Sequence, residues 1–591
     1  AVGSNAGAAL PTGVENVLIG GVTGDALTDA DFNTAIGKQA LSSDTKGNRT
    51  TALGYFTLAT QNFTTSTDTY NVGVGWASGQ LITTGINNVL VGALVGDALT
   101  DADYNVAVGH NALSTDTLGS RNTALGYSAL NAQNFTTATD SYNVAVGYNA
   151  GGNISTGGHN TLIGSLTGDA LTSGNSNVAF GYQALSGDTL GDRATALGFQ
   201  ALMAQNFTTT TDNYNTGVGY AAGTAITTGT ENVLIGGLAG DALTNGGQNV
   251  AVGHAALSAE DGHGQNVAIG YLALVAQNAG ATAYNTAVGS QAGQAVTTGI
   301  QNTLIGGLAG DALTDADFNV GIGMAALGSD TLGSRSVAVG SGALSTQNFT
   351  TATNAYNTAV GYGAGDLITT GQYNTLMGGE AGDALTTGNQ NVAVGYNSLT
   401  ADTLGDRNVA IGVSTLTAQN FTTTTDAYNT AVGALAGTAV TTGVQNTFVG
   451  GLAGDGTDDG TNNVAVGFEA LSANCGSGNT TLGTRAGKII TGDDNTFVGN
   501  TAGTATTSGA SNTCVGNAAG SAITTGGNNL FLGKDAGLTG SPGGNFTTEN
   551  HRMVLGDENM TNAHIQVALT VASDQRDKTD FTALDLGLDF V

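Results

Sequence analysis

The sequence predicts an all-β chain, a parallel β-solenoid or β-roll built from about 17-residue coils, and three observations predict it. A five-residue pattern, N-[TV]-x-[VIL]-G, recurs from Asn16 to Asn529, and repetition of this kind decides architecture before any single residue does. Its spacing is periodic: through Asn16, Asn33, Thr50, Asn71, Asn88, Asn105, Asn122 and Asn143 the steps run 17, 17, 21, 17, 17, 17 and 21, so four coils make a super-repeat of 72 residues. Within the pattern the side chains alternate. In NVAVG (105–109), Val106 and Val108 share one face of an extended segment and Ala107 takes the other, which is strand chemistry. The rhythm slips at one step of 19, from Asn266 to Asn285, and at two steps of 16 around Asn479.

Each part of a coil then has an expected job. The fourth pattern position is nearly always branched and apolar (Ile19, Val74, Val91, Val146, Ile163, Ile235) and is expected to line an apolar stack along the fibre. The third is mostly Ala or Gly and becomes Leu once per super-repeat (Leu18, Leu90, Leu162, Leu234, Leu304, Leu376), then Phe448; a small residue there should let another backbone approach. The closing Gly supplies a turn at positive φ, while Asn tolerates such corners and bonds neighbouring backbone. A second short segment such as GDALT (24–28) completes the circuit. One such ring is too thin to bury a core, so neighbouring coils must supply the burial. With so few large side chains the coil would also gain from wrapping against copies of itself, and a homotrimer, intertwined or side by side, is expected. Residues 1–16 match 287–302, which places residue 1 inside a coil, as in a piece of something longer.

Composition narrows the alternatives. Gly is 95 of 591 residues without a Gly-X-Y triplet, which excludes collagen. Apolar runs stop at four or five residues, far short of the ~20 that span a bilayer, so no membrane insertion is expected. Thirteen Lys plus Arg against 44 Asp plus Glu give a net charge of -31, a surface that repels phosphate backbones, so nucleic acid is not an expected partner. Cys475 and Cys514 occupy different phases of the coil, and no disulfide is expected.

The repeated NTALG (122–126), NVAIG (266–270) and NTAVG (285–289) resemble the head repeats of trimeric autotransporter adhesins, and this resemblance, covering residues 1 to about 540, implies a parallel left-handed β-roll in threes. Residues 1–540 are therefore read as a repeat shaft, 541–572 as a linker and β neck, with Ile565, Val567, Leu569 and Val571 alternating along a strand. Residues 573–591 resemble the opening of the endosialidase-type intramolecular chaperone of phage tail fibres and tailspikes. The match is carried by Ser573, Asp574, Arg576, Asp577, Lys578, Thr579, Asp580 and LGLDFV (586–591), and the chain ends where that domain is only starting. The resemblance implies a nucleophilic Ser573 and a proton-accepting Lys578, which would break the Ala572 to Ser573 bond in a full precursor. The expected protein is a homotrimeric bacteriophage tail fibre, extracellular, carried with other virion tail proteins and contributing to attachment at a host receptor or glycan. No cofactor and no substrate-directed activity are expected. A bacterial adhesin of the autotransporter type and a tailspike with a glycan-degrading domain outside this chain are the alternatives.

Among the repeats, the four-residue excess in each super-repeat carries an aromatic pair: Phe63 with Tyr70, Phe135 with Tyr142, Phe207 with Tyr214, Phe349 with Tyr356, Phe421 with Tyr428. Such loops could form a multivalent glycan-binding stripe. Because exposed aromatics in long arrays invite aggregation, packing of each Phe against its own coil or an adjacent subunit is the preferred reading. Asp-rich stretches such as 24–33 are read as a solvated acidic face rather than calcium loops. Asp44, Asp116, Asp188, Asp330 and Asp402 precede Arg49, Arg121, Arg193, Arg335 and Arg407 by five residues and are expected to form exposed ion pairs with them. NFT at Asn62, Asn134, Asn206, Asn348 and Asn420 matches a glycosylation sequon but sits within the repeated loop and is discounted. The six His and Trp76 are read as forming no metal or catalytic cluster.

Overall fold

Each pattern becomes a strand of about three residues, such as Val17–Ile19, Thr34–Ile36 and Thr51–Leu53, and consecutive strands pair in parallel without slipping. Val17 faces Thr34, Leu18 faces Ala35 and Ile19 faces Ile36, one coil of 17 residues apart. The computed structural model describes residues 1–562 together with 564 and 566; the strand read over 565–571 and the Ser573 and Lys578 assignments lie outside the described residues. Among the described residues there is no α-helix, hence none long and apolar enough to cross a membrane.

The chain divides into two compact units, Ala1–Thr461 and Asn462–Val591. In the first, rungs run from Val17–Ile19 to Thr447–Val449, and Val2 already bridges Ile19, so the opening residues do belong to a coil. Five coils add a two-residue pairing at the loop excess, for example Gly47–Asn48 with Thr67–Asp68 and Gly405–Asp406 with Thr425–Asp426. In the second unit the rungs are Val464–Val466, Thr480–Leu482, Thr496–Val498, Thr513–Val515, Leu530–Leu532 and Met553–Leu555. The last of these lies past residue 540, so the ladder continues one rung into the segment read as linker and neck.

The apolar stack of fourth-position residues runs along the outside of the coil. The third position is the buried one: Leu18, Ala35, Ala52, Leu90, Ala107 and Ala124 are sealed inside, whereas fourth-position Ile19, Ile36 and Ile235 are 41%, 38% and 39% exposed. The reason is room. A 17-residue ring also turns Leu27, Leu41 and Leu58 inward from its other walls, leaving space for only a small strand residue, and the bulky β-branched ones go outside. Where the strand does offer a Leu, the facing wall supplies a Gly: a Cβ on Gly96 would stand 3.0 Å from a Leu90 methyl.

Two polar columns hold the coils in register. From Asn33 onward each anchor Asn is buried, and its side-chain carbonyl accepts from the coil that follows. The Asn16 Oδ1 accepts the Asn33 N–H at 2.9 Å and its Nδ2 donates to the Ala30 carbonyl at 2.7 Å; Asn33 repeats this with the Thr50 N–H at 2.8 Å and the Gly47 carbonyl at 2.9 Å. The closing glycines form the second column. Gly37 has φ +136°, and a Cβ there would stand 2.2 Å from the Gly54 carbonyl oxygen, so conformation and backbone approach both demand glycine. The left-handed corner expected of the anchor Asn falls one residue earlier, on Glu15, Phe32, Arg49 and Tyr70, with φ between 50° and 62°.

Candidate functional site

That shifted corner builds the outer edge on which most functional side chains lie. Left-handed backbone at the residue before each anchor throws its side chain outward, and successive coils stack these side chains in a column. In each clasped super-repeat the column reads aromatic or polar residue, Arg, Tyr. The Arg49 guanidinium lies 4.8 Å from the Phe32 ring centre and 5.9 Å from that of Tyr70; Arg121 lies 4.7 Å from Tyr104 and 5.8 Å from Tyr142; Arg335 lies 4.6 Å from Phe318 and 5.9 Å from Tyr356. Arg193 and Arg407 cover Tyr214 and Tyr428.

The ion pairs differ from those the sequence suggested. Arg49 pairs with Asp68 at 3.1 Å and Arg121 with Asp140 at 2.9 Å; Arg193 pairs with Asp212 and Arg407 with Asp426, while Arg335 donates to Asn354 Oδ1 at 3.1 Å. Each partner sits in the four-residue excess of the following coil, so the Arg clasps the loop rather than its own turn. Asp44, Asp116, Asp188, Asp330 and Asp402, expected at the surface, are fully buried. Asp44 accepts the Gln61 side-chain amide at 2.6 Å and the Gly47 and Phe63 backbone N–H groups at 3.1 Å each. Gln61 Oε1 in turn accepts the anchor Asn71 amide at 2.9 Å, which ties the loop to the Asn column. Burial pushes the Asp44, Asp330 and Asp402 carboxyls above the usual carboxylate range, against the lowering effect of these hydrogen bonds.

The clasp places the two aromatics of each loop in different environments. Phe63, Phe135, Phe207, Phe349 and Phe421 are withdrawn into their own coils, Phe63 at 7% and Phe421 at 5% exposure; Tyr70, Tyr142, Tyr214, Tyr356 and Tyr428 stay half exposed, Tyr70 at 52%. What the loop offers a ligand is therefore tyrosine face and hydroxyl, threonine and asparagine. The sequon residue Asn62 accepts a hydrogen bond from Thr45 Oγ1 at 3.1 Å.

The acidic stretches are partly sunk rather than fully solvated. Asp31 and Asp103 accept the backbone N–H groups of Val14 and Ile86 in the preceding coil, both at 2.7 Å. Burial raises Asp97, Asp169, Asp241 and Asp383 above the ordinary carboxyl value, and one oxygen of each has no hydrogen-bond partner. Cys475 and Cys514 are both buried and neither is in a disulfide; burial pushes the thiol of Cys514, which points into the coil at the third strand position, up to about 12.

Within the first unit one super-repeat lacks the clasp. Where the others have Asp, Arg and Phe, it has Glu260, Gln265 and a loop shortened to 277–285, and Gln265 donates to Gln248 at 2.9 Å in place of an arginine contact. In the same turn Glu260, Asp261 and His263 come together, a grouping the sequence did not suggest; its signals were the single 19-residue step and the lost Arg. Residues 230–284 also frame an open groove of about 540 Å³ lined by His263, Gln248, Gln265 and Tyr284.

No protein-family model matches the chain, and no curated protein is a detectable relative of it.

Proposed function

We propose that this chain forms the shaft of a homotrimeric virion tail fibre that contributes to host-cell attachment. One observation carries the reading: the fourth position of the strands, which faces outward, is apolar rung after rung. Ile19, Ile36, Val108, Phe180, Ile235, Ile269, Ile305, Met377 and Ile411 are exposed and the fourth-position residues between them are half-buried, an apolar strip of the kind that soluble monomers seldom leave open. The row repeats with the coil, so the partner must carry apolar groups at the same period, and a parallel copy of the chain does so. Closure of three such faces around one axis would bury them and leave the Arg–Tyr edges outside. The resemblance of 573–591 to a fibre chaperone supports a virion fibre over a cell-surface adhesin, and the half-exposed tyrosines supply the surface for a host receptor or glycan.

The test is the mass in solution. Light scattering on the purified chain should give three times the 58.1 kDa monomer, and Ile235→Asp with Ile269→Asp should lower it. A folded wild-type monomer would overturn the shaft reading. For attachment, the purified fibre should compete with virions for host cells, and the absence of competition at saturating fibre would remove that part.

A further inference from the structure

We propose that Glu260, Asp261 and His263 form a binding site for one divalent transition-metal ion of the zinc class, a staple placed where the repeat has lost its arginine clasp. The geometry is close to that of a bound site. One ligand atom from each residue lies within 4.8 Å of the others, and His263 Nδ1 stands 3.2 Å from Glu260 Oε1. Zinc bonds of about 2.0–2.2 Å in a tetrahedron set neighbouring ligand atoms about 3.3 Å apart, so the Glu–His edge is already in place. The carboxylate of Asp261, which is exposed, closes the remaining gap by side-chain rotation.

The chemistry of the donors selects the ion. An imidazole with two carboxylates suits zinc, cobalt, nickel or copper, whereas calcium and magnesium take all-oxygen sets. Glu260 is the member that asks for a cation. It is fully buried, and its glutamine partner is loosened: Gln277 donates at 3.3 Å where Gln61 reaches Asp44 at 2.6 Å, while the His263 N–H donates at 3.1 Å as Gly47 does to Asp44. The turn itself is pinned, since the Asp261 carbonyl accepts the Thr244 hydroxyl at 2.6 Å. His263 is partly exposed at the rim of the groove, which gives the ion a route in and leaves water to complete its coordination.

Calorimetric titration of the intact protein with zinc chloride, paired with the visible absorption of the cobalt form, tests this. The wild type should bind one equivalent that His263→Ala abolishes, with Asp261→Asn weakening it at least tenfold and circular dichroism unchanged in both. Because five other histidines remain in His263→Ala, unaltered stoichiometry and affinity in that variant would mean adventitious binding, and the proposal would fall. No saturable binding to the wild type would mean that Glu260 and His263 form an ion pair only, and would overturn the proposal equally.

Discussion

In the first unit the loop closing each fourth coil exists in two versions. Between Asp402 and Tyr428, a buried carboxylate receives Gln419 at 2.5 Å, Phe421 fills the coil, Thr425–Asp426 pairs with Gly405–Asp406, and Arg407 clasps Asp426 and Tyr428. Between Glu260 and Tyr284 the Phe, the Arg and the loop Asp are all missing. Yet the strands on either side do not notice: Val250–Val252, Val267–Ile269 and Thr286–Val288 keep the same register as every other rung, and Asn285 still donates to Gln277 at 3.1 Å. The ladder is therefore self-sufficient, and the clasp is an accessory that rigidifies one outer edge.

The largest effect should come from breaking what the two versions share. Excising 89–105, one coil of 17 residues, should leave a folded, shorter solenoid, whereas excising ten residues from 89 should abolish the cooperative melt seen by circular dichroism, because every side chain beyond the cut is out of phase. Next in size is Phe421→Ser. Loss of this buried ring should cost about 3–5 kcal/mol locally and expose the amides of 405–430 to hydrogen exchange, while the flanking strands stay protected, as the Phe-free loop at 277–285 implies.

A third outcome concerns pH. Folding holds Asp44, Asp330 and Asp402 above their ordinary value of 3.8, so it favours their protonated forms. Their contribution is full below 3.8, and it is lost as pH rises through the raised folded values. Asp402→Asn should therefore flatten the stability gain on mild acidification, read from melting temperature against pH. The smallest change is constructive: Gln265→Arg with Thr282→Asp would install a clasp in the bare repeat, adding no more than about 1 kcal/mol, as exposed pairs do. A double-mutant cycle would measure it.

Much of this was legible in the sequence, since the period, the parallel register and the turn glycines follow from spacing and residue type alone. The facing of the strands was not. Alternation says that Val106 and Val108 lie opposite Ala107, but which side is inside depends on how many leucines the other walls already turn inward, and that is a property of the closed ring. The ion pairs misled for a related reason: Asp44 and Arg49 are five residues apart in the chain, yet a left-handed corner at Arg49 sends its guanidinium to the next coil. Glu260 and His263 stood in plain view as a departure from the repeat, but only the folded turn brings them together.

The asparagine column has a direction. At Asn16 and Asn33, as at most anchors, the side-chain carbonyl accepts the following backbone N–H and the amide donates to the following corner, whereas Asn122 and Asn408 donate back to Asn105 and Asn391 at 3.1 Å; the acceptor half of the column thus always waits for the coil after it. The two ends of such a stack are chemically unlike: the leading edge presents unsatisfied asparagine, the trailing edge presents strand backbone. Assembly from the ribosome would then proceed as a one-way zipper, each coil serving as the template on which the next one settles.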